Sequence, residues 1–198
     1  ARLLYLSYDI NLKNTSHKPM PFKGKSREDN SPMTETFSGA SPLPYWGVIR
    51  ARGADAAQFI HGQLSQDFVL LGPDQARLAA FCNAKGRMQA SSIGIKPDAQ
   101  TILLVCERSL LAQTLKRLRM FVLRAQCQLD DASEAFALWG LVGASVPAPC
   151  ASAWQVHSDG TAHTIGLPPG ADHARALWLA PADTAPPPVP QLPAATWQ

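Results

Sequence analysis

The side chains of this chain that could carry chemistry are few and widely spaced. Its four cysteines, at positions 82, 106, 127 and 150, form no C-x-x-C pair and have no histidine near them at the spacing of metal ligands. The patterns of a P-loop, a G-x-G-x-x-G turn, an H-E-x-x-H zinc site and a nucleophile elbow are also missing. We therefore predict neither a metal site nor a redox dithiol, and we expect reduced, buried thiols.

His61 and Asp67 could form an acid–base dyad, which would serve proton transfer. The two residues lie six positions apart, across the end of a predicted helix. This separation favours two independent roles. His61 is then a partly exposed helix residue, and Asp67 is a turn or capping acceptor.

A second candidate is a run of basic residues without an intervening acid, formed by Arg108, Lys116, Arg117, Arg119 and Arg124. Lys116, Arg117 and Arg119 could contact phosphate or a protein partner, since each can neutralise one backbone charge of RNA. A solvated helix face is the commoner explanation of such a run. The net charge of +3 arises in the first 32 residues, with six basic and three acidic side chains, while residues 33 to 198 carry twelve of each. A domain-wide electrostatic footprint for nucleic acid is therefore missing.

Short strands and two helices must position these side chains. Asp55 can cap a helix in which Ala56, Phe59, Ile60 and Leu64 recur at three- and four-residue steps. A second helix is predicted over 109–122, with an apolar stripe that reaches Phe121 and Val122. Strands are predicted over 46–52, 77–82, 88–95, 101–106, 124–129, 135–142, 161–167 and 174–180. Hairpins rather than regular strand–helix alternation favour an α+β fold with mixed or antiparallel sheets.

Composition divides the chain into three parts. Residues 1 to 43 are predicted to be a disordered tail, because residues 11 to 32 have too few apolar positions to offset the entropy of ordering. Residues 1 to 32 are either sequence upstream of a natural start at Met33 or a genuine flexible extension. Residues 44 to 182 form the α+β domain, and residues 183 to 198 a proline-rich, extended connector. No run reaches membrane-spanning length, and we expect a cytoplasmic protein.

The stretch from Trp46 to Arg87 carries the most specific pattern. It reads W-G-V-I-R-A-R from Trp46, G-A-D from Gly53, G-Q-L-S-Q-D from Gly62 and A-A-F-C-N-A-K-G-R from Ala79. In this order the words resemble the opening of the YgfZ-type folate-binding proteins. That family is related to the glycine-cleavage aminomethyltransferase and is implicated in tRNA modification and iron–sulfur enzyme maintenance. The resemblance covers residues 44 to 198 and corresponds to the N-terminal part of such a protein.

The resemblance implies a fold, a ligand and two site residues. The fold would be the N-terminal part of the aminomethyltransferase folate-binding fold, with ferredoxin-like βαββ-type subdomains, and the ligand tetrahydrofolate. In these proteins one tryptophan just before the first Gly-Ala-Asp and another before the second half of the fold are associated with folate. Trp46 and Trp197 occupy those places. Aromatic faces suit a pterin, but two stacks of roughly 0.5–1.5 kcal/mol each cannot supply the approximately 8 kcal/mol of micromolar affinity.

Two departures from the related families limit the function. The aminomethyltransferases carry an aspartate pair where this chain has Ala90 and Ser91, and neither side chain can act as a carboxylate. The K-G-C-x-x-G-Q-E motif of YgfZ-type proteins does not occur in these 198 residues, so the domain is expected to be incomplete and its connector to lead into a missing C-terminal half. We transfer the role of that motif's cysteine to none of the four cysteines.

We predict a tetrahydrofolate-binding protein that supports tRNA modification and iron–sulfur enzymes rather than turning over a substrate itself. The first alternative is a folate-dependent aminomethyltransferase-like transferase, which Ala90 and Ser91 disfavour. The second is a non-catalytic module that binds RNA or a partner through the basic helix. Salt-dependent RNA binding without a folate response would favour this module. A product without activity is a further alternative, since a fold divided across its ligand site loses part of that site.

Tetrahydrofolate should quench tryptophan emission in the complete protein, because a pterin stacked on an indole takes up the excitation energy that the indole would otherwise emit. Trp46→Ala should remove saturable binding. A fluorescence titration of both proteins measures this, and an unchanged affinity in Trp46→Ala would refute the assignment of Trp46.

Overall fold

The computed structural model describes residues 37–197, and the predictions for the first 36 residues lie outside this range. In chain order the elements are β1 (Gly39–Pro42), β2 (Trp46–Arg52), α1 (Ala56–Gln63), β3 (Ala76–Cys82), β4 (Met88–Asp98), β5 (Thr101–Glu107), α2 (Arg108–Arg119), β6 (Gln128–Asp131), β7 (Phe136–Val142), β8 (Val156–Asp159), β9 (Ala162–Gly170) and β10 (His173–Pro181). Within this range, neither helix has the length and apolar character needed to cross a bilayer.

The strands form two five-stranded antiparallel sheets. Sheet I has the order β1-β7-β10-β9-β8, and sheet II the order β3-β4-β5-β2-β6. The predicted succession of strand, helix, three strands, helix and strand is confirmed in sheet II, from β2 to β6. Its order is that of a ferredoxin-like sheet enlarged by one strand, because β5 lies between β4 and β2. The predicted α+β class is thus confirmed.

Sheet II is buried on both faces, and β5 shows why. Ile102, Leu104 and Cys106 point to one face and Leu103 and Val105 to the other, and all five are buried. A continuous apolar run of this kind is what a strand covered on both sides requires. Two cores result, one on each face of the sheet.

The first, here called the helix-side core, lies between sheet II and the helices. Phe59 and Ile60 of α1 and Leu111, Leu115 and Leu118 of α2 pack in it. The second, the intersheet core, lies between the two sheets. Its members include Val48 and Ile95 of sheet II and Ile165, Leu177 and Leu179 of sheet I. The molecule therefore has three layers, with sheet I on one side of sheet II and the helices on the other.

The structure corrects several predicted boundaries. Gly39–Pro42 form β1, paired with β7, so the assignment of residues 1 to 43 to a disordered tail is wrong for this strand. Its four residues are too few for a sequence period to show. The strand predicted over 124–129 begins only at Gln128. Strand β8, at the edge of sheet I, escaped prediction because three of its four residues are exposed and polar.

Asp55 does not cap α1 with its side chain. The helix has no side-chain cap hydrogen bond at Asp55. Instead, Asp55 Oδ2 accepts from the backbone N–H of Gln126 at 2.7 Å, and the Asp55 N–H donates to the Gln126 carbonyl at 3.1 Å. The carboxylate therefore joins the start of α1 to the loop before β6, a long-range contact that local spacing could not reveal.

Helix α2 is shorter than predicted and leaves apolar residues in solvent. It ends at Arg119, so Phe121 no longer continues the buried stripe. Met120, Phe121 and Leu123 are exposed by 62%, 52% and 86%. The stripe of the first three turns, which includes Leu111, Leu115 and Leu118, is buried as predicted. The turn after the helix thus presents apolar surface beside the basic residues of α2.

The proline-rich segment packs along β1 rather than standing apart from the fold. The Ala40 N–H donates to the Pro190 carbonyl at 2.8 Å, and the Leu192 N–H donates to the Ala40 carbonyl at 2.7 Å. Ser41 Oγ donates to the Pro193 carbonyl at 3.0 Å. This strap, residues 189–197, covers the edge of sheet I, which is one way that folds protect an unpaired strand.

Replacing Leu177 by alanine should lower the free energy of unfolding by about 2–5 kcal/mol, because its fully buried side chain lies in the intersheet core. Leu123→Ala removes the same atoms from an exposed side chain and should change stability by less than about 0.5 kcal/mol. Urea unfolding followed by circular dichroism measures both. Equal losses in the two variants would contradict the assignment of this core.

Candidate functional site

A groove of about 350 Å³ opens where the β3–β4 connection passes the end of α2. Its size falls within the roughly 300–1,000 Å³ of small-molecule sites. We call it the hairpin groove. Its lining residues are Phe81, Cys82, Asn83, Ala84, Lys85, Gln89, Arg117 and Phe121.

Asn83 holds the connection in shape. Its Oδ1 accepts from the N–H groups of Lys85 and Arg87, each at 3.0 Å. Its backbone N–H donates to the Arg87 carbonyl, and its carbonyl accepts from Gly86, both at 2.9 Å. Gly86 has φ +74°, a left-handed conformation that glycine adopts without steric cost. Four hydrogen bonds of Asn83 therefore hold the backbone of the turn that carries Lys85.

A β-bulge brings Gln89 into the groove. Phe81 pairs with Ala90 and Cys82 pairs with Met88, so Gln89 is the extra residue of β4. A bulge of this kind redirects side chains at the end of a hairpin. Here Gln89 lines the groove together with Phe81 and Arg117, and its Nε2 donates to the Arg87 and Met88 carbonyls at 3.4 Å.

Two cations line the groove without any carboxylate among its lining residues. Within residues 37–197 the three ion pairs join Arg50 to Asp130, His61 to Asp67 and Arg108 to Glu134. Lys85 and Arg117 take part in none of them. Phe81 forms a buried wall, and Phe121 exposes about half of its surface at the rim. The groove thus suits a partly apolar, aromatic anion.

The structure divides the predicted basic run. Arg119 Nε and Nη2 both donate to the Leu129 carbonyl, at 3.0 and 2.7 Å, so this guanidinium ties α2 to β6. Arg108 is paired with Glu134. Lys116 is exposed and lies outside the groove, while Arg117 lines it. The run is therefore no single patch, and its assignment to phosphate stays a prediction.

Ala90 and Ser91 lie on opposite faces of β4, as neighbours in a strand must. Ala90 is buried and Ser91 is exposed. Only one of these two positions could place a side chain toward α2. That position is held by the methyl group of Ala90, which cannot transfer a proton.

Trp46 and Trp197 are both partly buried against the intersheet core. Trp46 begins β2, opposite Glu107 of β5. It lines neither the hairpin groove nor a second cleft, of which Trp197 forms part of the wall. The Trp197 ring lies so close to Gly140 that a Cβ there would meet it at 2.2 Å, and the Arg175 guanidinium lies over the ring at 5.5 Å. Their assignment to folate stays a prediction, and stacking on Trp197 would require Arg175 to move.

His61 and Asp67 come together, with Nδ1 to Oδ1 at 3.3 Å. Asp67 Oδ1 also accepts from the N–H groups of Val69 and Leu70, at 2.8 and 2.9 Å, which confirms the predicted turn acceptor. The Leu70 N–H, more than any other group, lowers the pKa of Asp67, with smaller contributions from Val69 and His61. Both side chains are largely solvated, and His61 is the partly exposed helix residue that was predicted. The pair thus braces a turn.

The expectation of buried thiols is wrong for one cysteine. Cys106, Cys127 and Cys150 are buried, but Cys82 is exposed at the end of β3, where it lines the hairpin groove. All four are free. Burial raises the pKa of Cys106 to about 12, with help from the charges of Asp131 and Glu107. Burial also raises the pKa of Cys127 and of Cys150.

Lys85 and Cys82 stand in the sequence pattern that carries the family resemblance, but neither was predicted to be a site residue. Phe121 was predicted to lie in the apolar stripe of the second helix. The signal for Lys85 was present, because Asn83 and Gly86 flank it in a tight turn. Phe121 could have been recognised only by locating the end of α2. Across residues 37–197, no three side chains of histidine, cysteine, aspartate or glutamate converge as a metal site would need.

Comparison with solved structures defines the class of fold. The glycine cleavage system aminomethyltransferase T from Bartonella henselae superimposes with a TM-score of 0.63, over 75% of this chain and 44% of that chain. The sequences are 16% identical, so the likeness shows the fold alone. The sheets that carry the hairpin groove are therefore those of the aminomethyltransferase fold.

Sequence comparison narrows this class. The chain is 31% identical to a tRNA-modifying protein YgfZ of Hamiltonella defensa over 98 residues, and 29% identical to one of Photorhabdus laumondii over 101 residues. The alignments cover 50% and 51% of this chain but 29% and 30% of those proteins. No family model matches the chain. The predicted resemblance is confirmed over this range: about half of the chain is similar to part of the YgfZ-type proteins.

Native protein should expose one reactive thiol per chain to an aromatic disulfide reagent at about pH 8, close to the ordinary pKa of a free thiol. Cys82 is accessible, whereas the raised pKa values of the buried thiols keep them protonated until the chain unfolds. Absorbance of the released thiolate measures the count. Cys82→Ser should abolish the fast phase, and a fast phase that survives it would contradict this placement.

Proposed function

We propose that this chain binds a reduced folate in the hairpin groove. In the whole cytoplasmic protein, bound tetrahydrofolate would support tRNA modification and the iron–sulfur enzymes involved in it. The observation that carries this proposal is the juxtaposition of Lys85, Arg117 and Phe121 beside the turn whose sequence bears the resemblance. The names of the YgfZ relatives support the link to tRNA modification.

The chemistry of a folate matches the contents of the groove. A folate joins a flat pterin to an aminobenzoyl ring and ends in a glutamate with negative charge. Lys85 and Arg117 supply cations for the carboxylates, and Phe81 and Phe121 supply apolar surface for a ring. The Gln89 side-chain carbonyl offers an acceptor for the pterin edge, while its Nε2 donates to the Arg87 and Met88 carbonyls at 3.4 Å.

The magnitudes require both kinds of contact. Micromolar affinity corresponds to about 8 kcal/mol. Hydrogen bonds to charged groups contribute about 1.5–3 kcal/mol each, and an aromatic contact contributes roughly 0.5–1.5 kcal/mol beyond its buried area. Neither the two cations nor the two rings suffice alone. Loss of both cations should therefore remove most of the affinity.

Trp46 and Trp197, the residues that the family resemblance implies, offer a rival location for the same ligand. We retain both tryptophans as proposed folate contacts. Comparing folate binding in Trp46→Ala with binding in the groove variants distinguishes the two locations. Loss of folate binding in Trp46→Ala, together with normal binding in groove variants, would place the ligand at the tryptophans. The reverse result would place it in the groove.

Binding without turnover is the proposed mode of action. The likeness to aminomethyltransferase T concerns the fold. Where the family resemblance places the aspartate pair of the aminomethyltransferases, this chain has Ala90 and Ser91, and neither side chain is a carboxylate. The second candidate function is RNA binding by α2. Lys116 and Arg117 favour it, but Arg108 and Arg119 are already engaged by Glu134 and Leu129. Folate binding therefore fits the geometry better.

The double variant Lys85→Glu/Arg117→Glu should bind 5-formyl-tetrahydrofolate at least tenfold more weakly than the unaltered chain, because two attractive charges become repulsive. Isothermal titration calorimetry measures the affinities. Lys116→Glu is the matched control, since it reverses an exposed charge on the same helix outside the groove and should bind as the unaltered chain does. Equal affinity of the double variant and the control would refute the groove as the folate site.

A further inference from the structure

A second concave site lies at the end of the strap and shares no lining residue with the hairpin groove. It is a cleft of about 250 Å³ between the β9–β10 turn, the end of the strap and the residues that precede β1. We call it the strap cleft. Its lining residues are Phe37, Val142, Gly170, Ala171, His173, Arg175, Thr196 and Trp197.

Arg175 is the only arginine, lysine, aspartate or glutamate that lines the cleft, within the part of the chain that the structure describes. Its Nε and Nη2 donate to the Pro168 carbonyl, each at 3.3 Å. This contact occupies the side edge of the guanidinium. Among residues 37–197, no other hydrogen bond engages the guanidinium, so its end edge, with the two terminal nitrogens, can present a pair of parallel N–H donors to a carboxylate.

The guanidinium has two further neighbours besides Pro168. It lies over the Trp197 ring, 5.5 Å from the ring centroid. It also lies close to the backbone of Gly170, where an added Cβ would lie 3.0 Å from Arg175 Cζ. A cation fixed between a ring and a backbone loses little conformational entropy when it binds a ligand. Arg175 is thus arranged before any ligand arrives.

Aromatic rings form the rest of the wall. The Phe37 and His173 rings lie 5.7 Å apart between centroids and are tilted by 50°. Together with Trp197 they bound the cleft with flat, largely apolar surface. A planar ring is the ligand group that such walls bind best, through stacked and edge-to-face contacts.

The backbone beside the cleft is strained. Ala171 and Asp172, which form the β9–β10 turn, both have positive φ, at 49° and 63°. Glycine and asparagine are the usual residues in such turns, and alanine is disfavoured there. The strained turn places Ala171 in the cleft wall and brings His173 and Arg175 onto the same side. Strain of this kind concentrates at ligand sites.

We propose that the strap cleft binds a small planar aromatic carboxylate. Its carboxylate meets the end edge of Arg175. Its ring lies against Phe37 and His173 and meets Trp197 at the edge of the indole, since Arg175 already lies over the face of that ring. The volume of about 250 Å³ suits a single ring rather than a larger ligand. One fixed guanidinium balances one negative charge. The proposal is independent of folate binding in the hairpin groove, since the two sites share no lining residue; Trp197, the rival folate contact, lines only the strap cleft.

Benzoate titrated into the ¹⁵N-labelled full chain tests the site by magnetic resonance. The indole N–H signal of Trp197 and the backbone signals of residues 170–175 should shift saturably, with a dissociation constant on the order of 1 mM. Benzyl alcohol, which has the ring without the charge, should give no saturable shift. Arg175→Gln should weaken benzoate binding at least tenfold, and Arg175→Lys should bind with intermediate affinity because it keeps the charge but loses the planar pair of donors.

Two controls separate this site from the proposed folate site. The Lys85→Glu/Arg117→Glu variant should bind benzoate as the unaltered chain does, whatever its affinity for folate. A dispersed spectrum of Arg175→Gln shows that the variant is folded. Benzoate binding that survives Arg175→Gln, or that disappears in the groove variant, would overturn the proposal, as would an absence of saturable shifts at Trp197.

Discussion

The burial of sheet II on both faces is the constraint on which the rest of this structure depends. Strand β5 contributes Ile102, Leu104 and Cys106 to the helix-side core and Leu103 and Val105 to the intersheet core. Because every residue of its middle is apolar, the strand is stable only between two covering layers. Sheet I and the pair of helices are those layers. Removing either would leave a continuous apolar face in water, so the three layers must form together.

Both concave sites lie where this layered packing ends. The hairpin groove forms where the β3–β4 connection extends past the sheet and meets the last turn of α2. The strap cleft forms where the chain folds back over β1 and the Trp197 ring rests on Gly140. Side chains at such rims are held by the core on one side and meet solvent on the other. Each site therefore combines a cation with aromatic surface, and Phe81 and Trp197 connect the two sites to the cores.

Much of the architecture could be predicted from local pattern. Three features follow from the residue periods that burial on one or two faces imposes: the bounds of β2, the presence of the two helices, and the succession of elements in sheet II. Strands β1 and β8 could not be predicted, because four residues, exposed or lacking alternation, carry no period. The role of Asp55 was also hidden, since its partner Gln126 is distant in sequence. Of the hairpin groove, the tight turn around Lys85 was visible in the sequence, but its meeting with Arg117 and Phe121 was not.

By itself, the sequence determined both helices and all strands except β1 and β8, where the turn at Asn83 and Gly86 lies, and which relatives the chain resembles. These properties depend on neighbouring residues, whose preferences act within a few positions. Only the tertiary structure decided which cations are available to a ligand. Arg119 is engaged by the Leu129 carbonyl and Arg108 by Glu134, while Arg117 and Arg175 each line a cavity. The physical reason is that the environment of a charged side chain is set by the groups that the fold brings around it, and those groups come from distant parts of the chain.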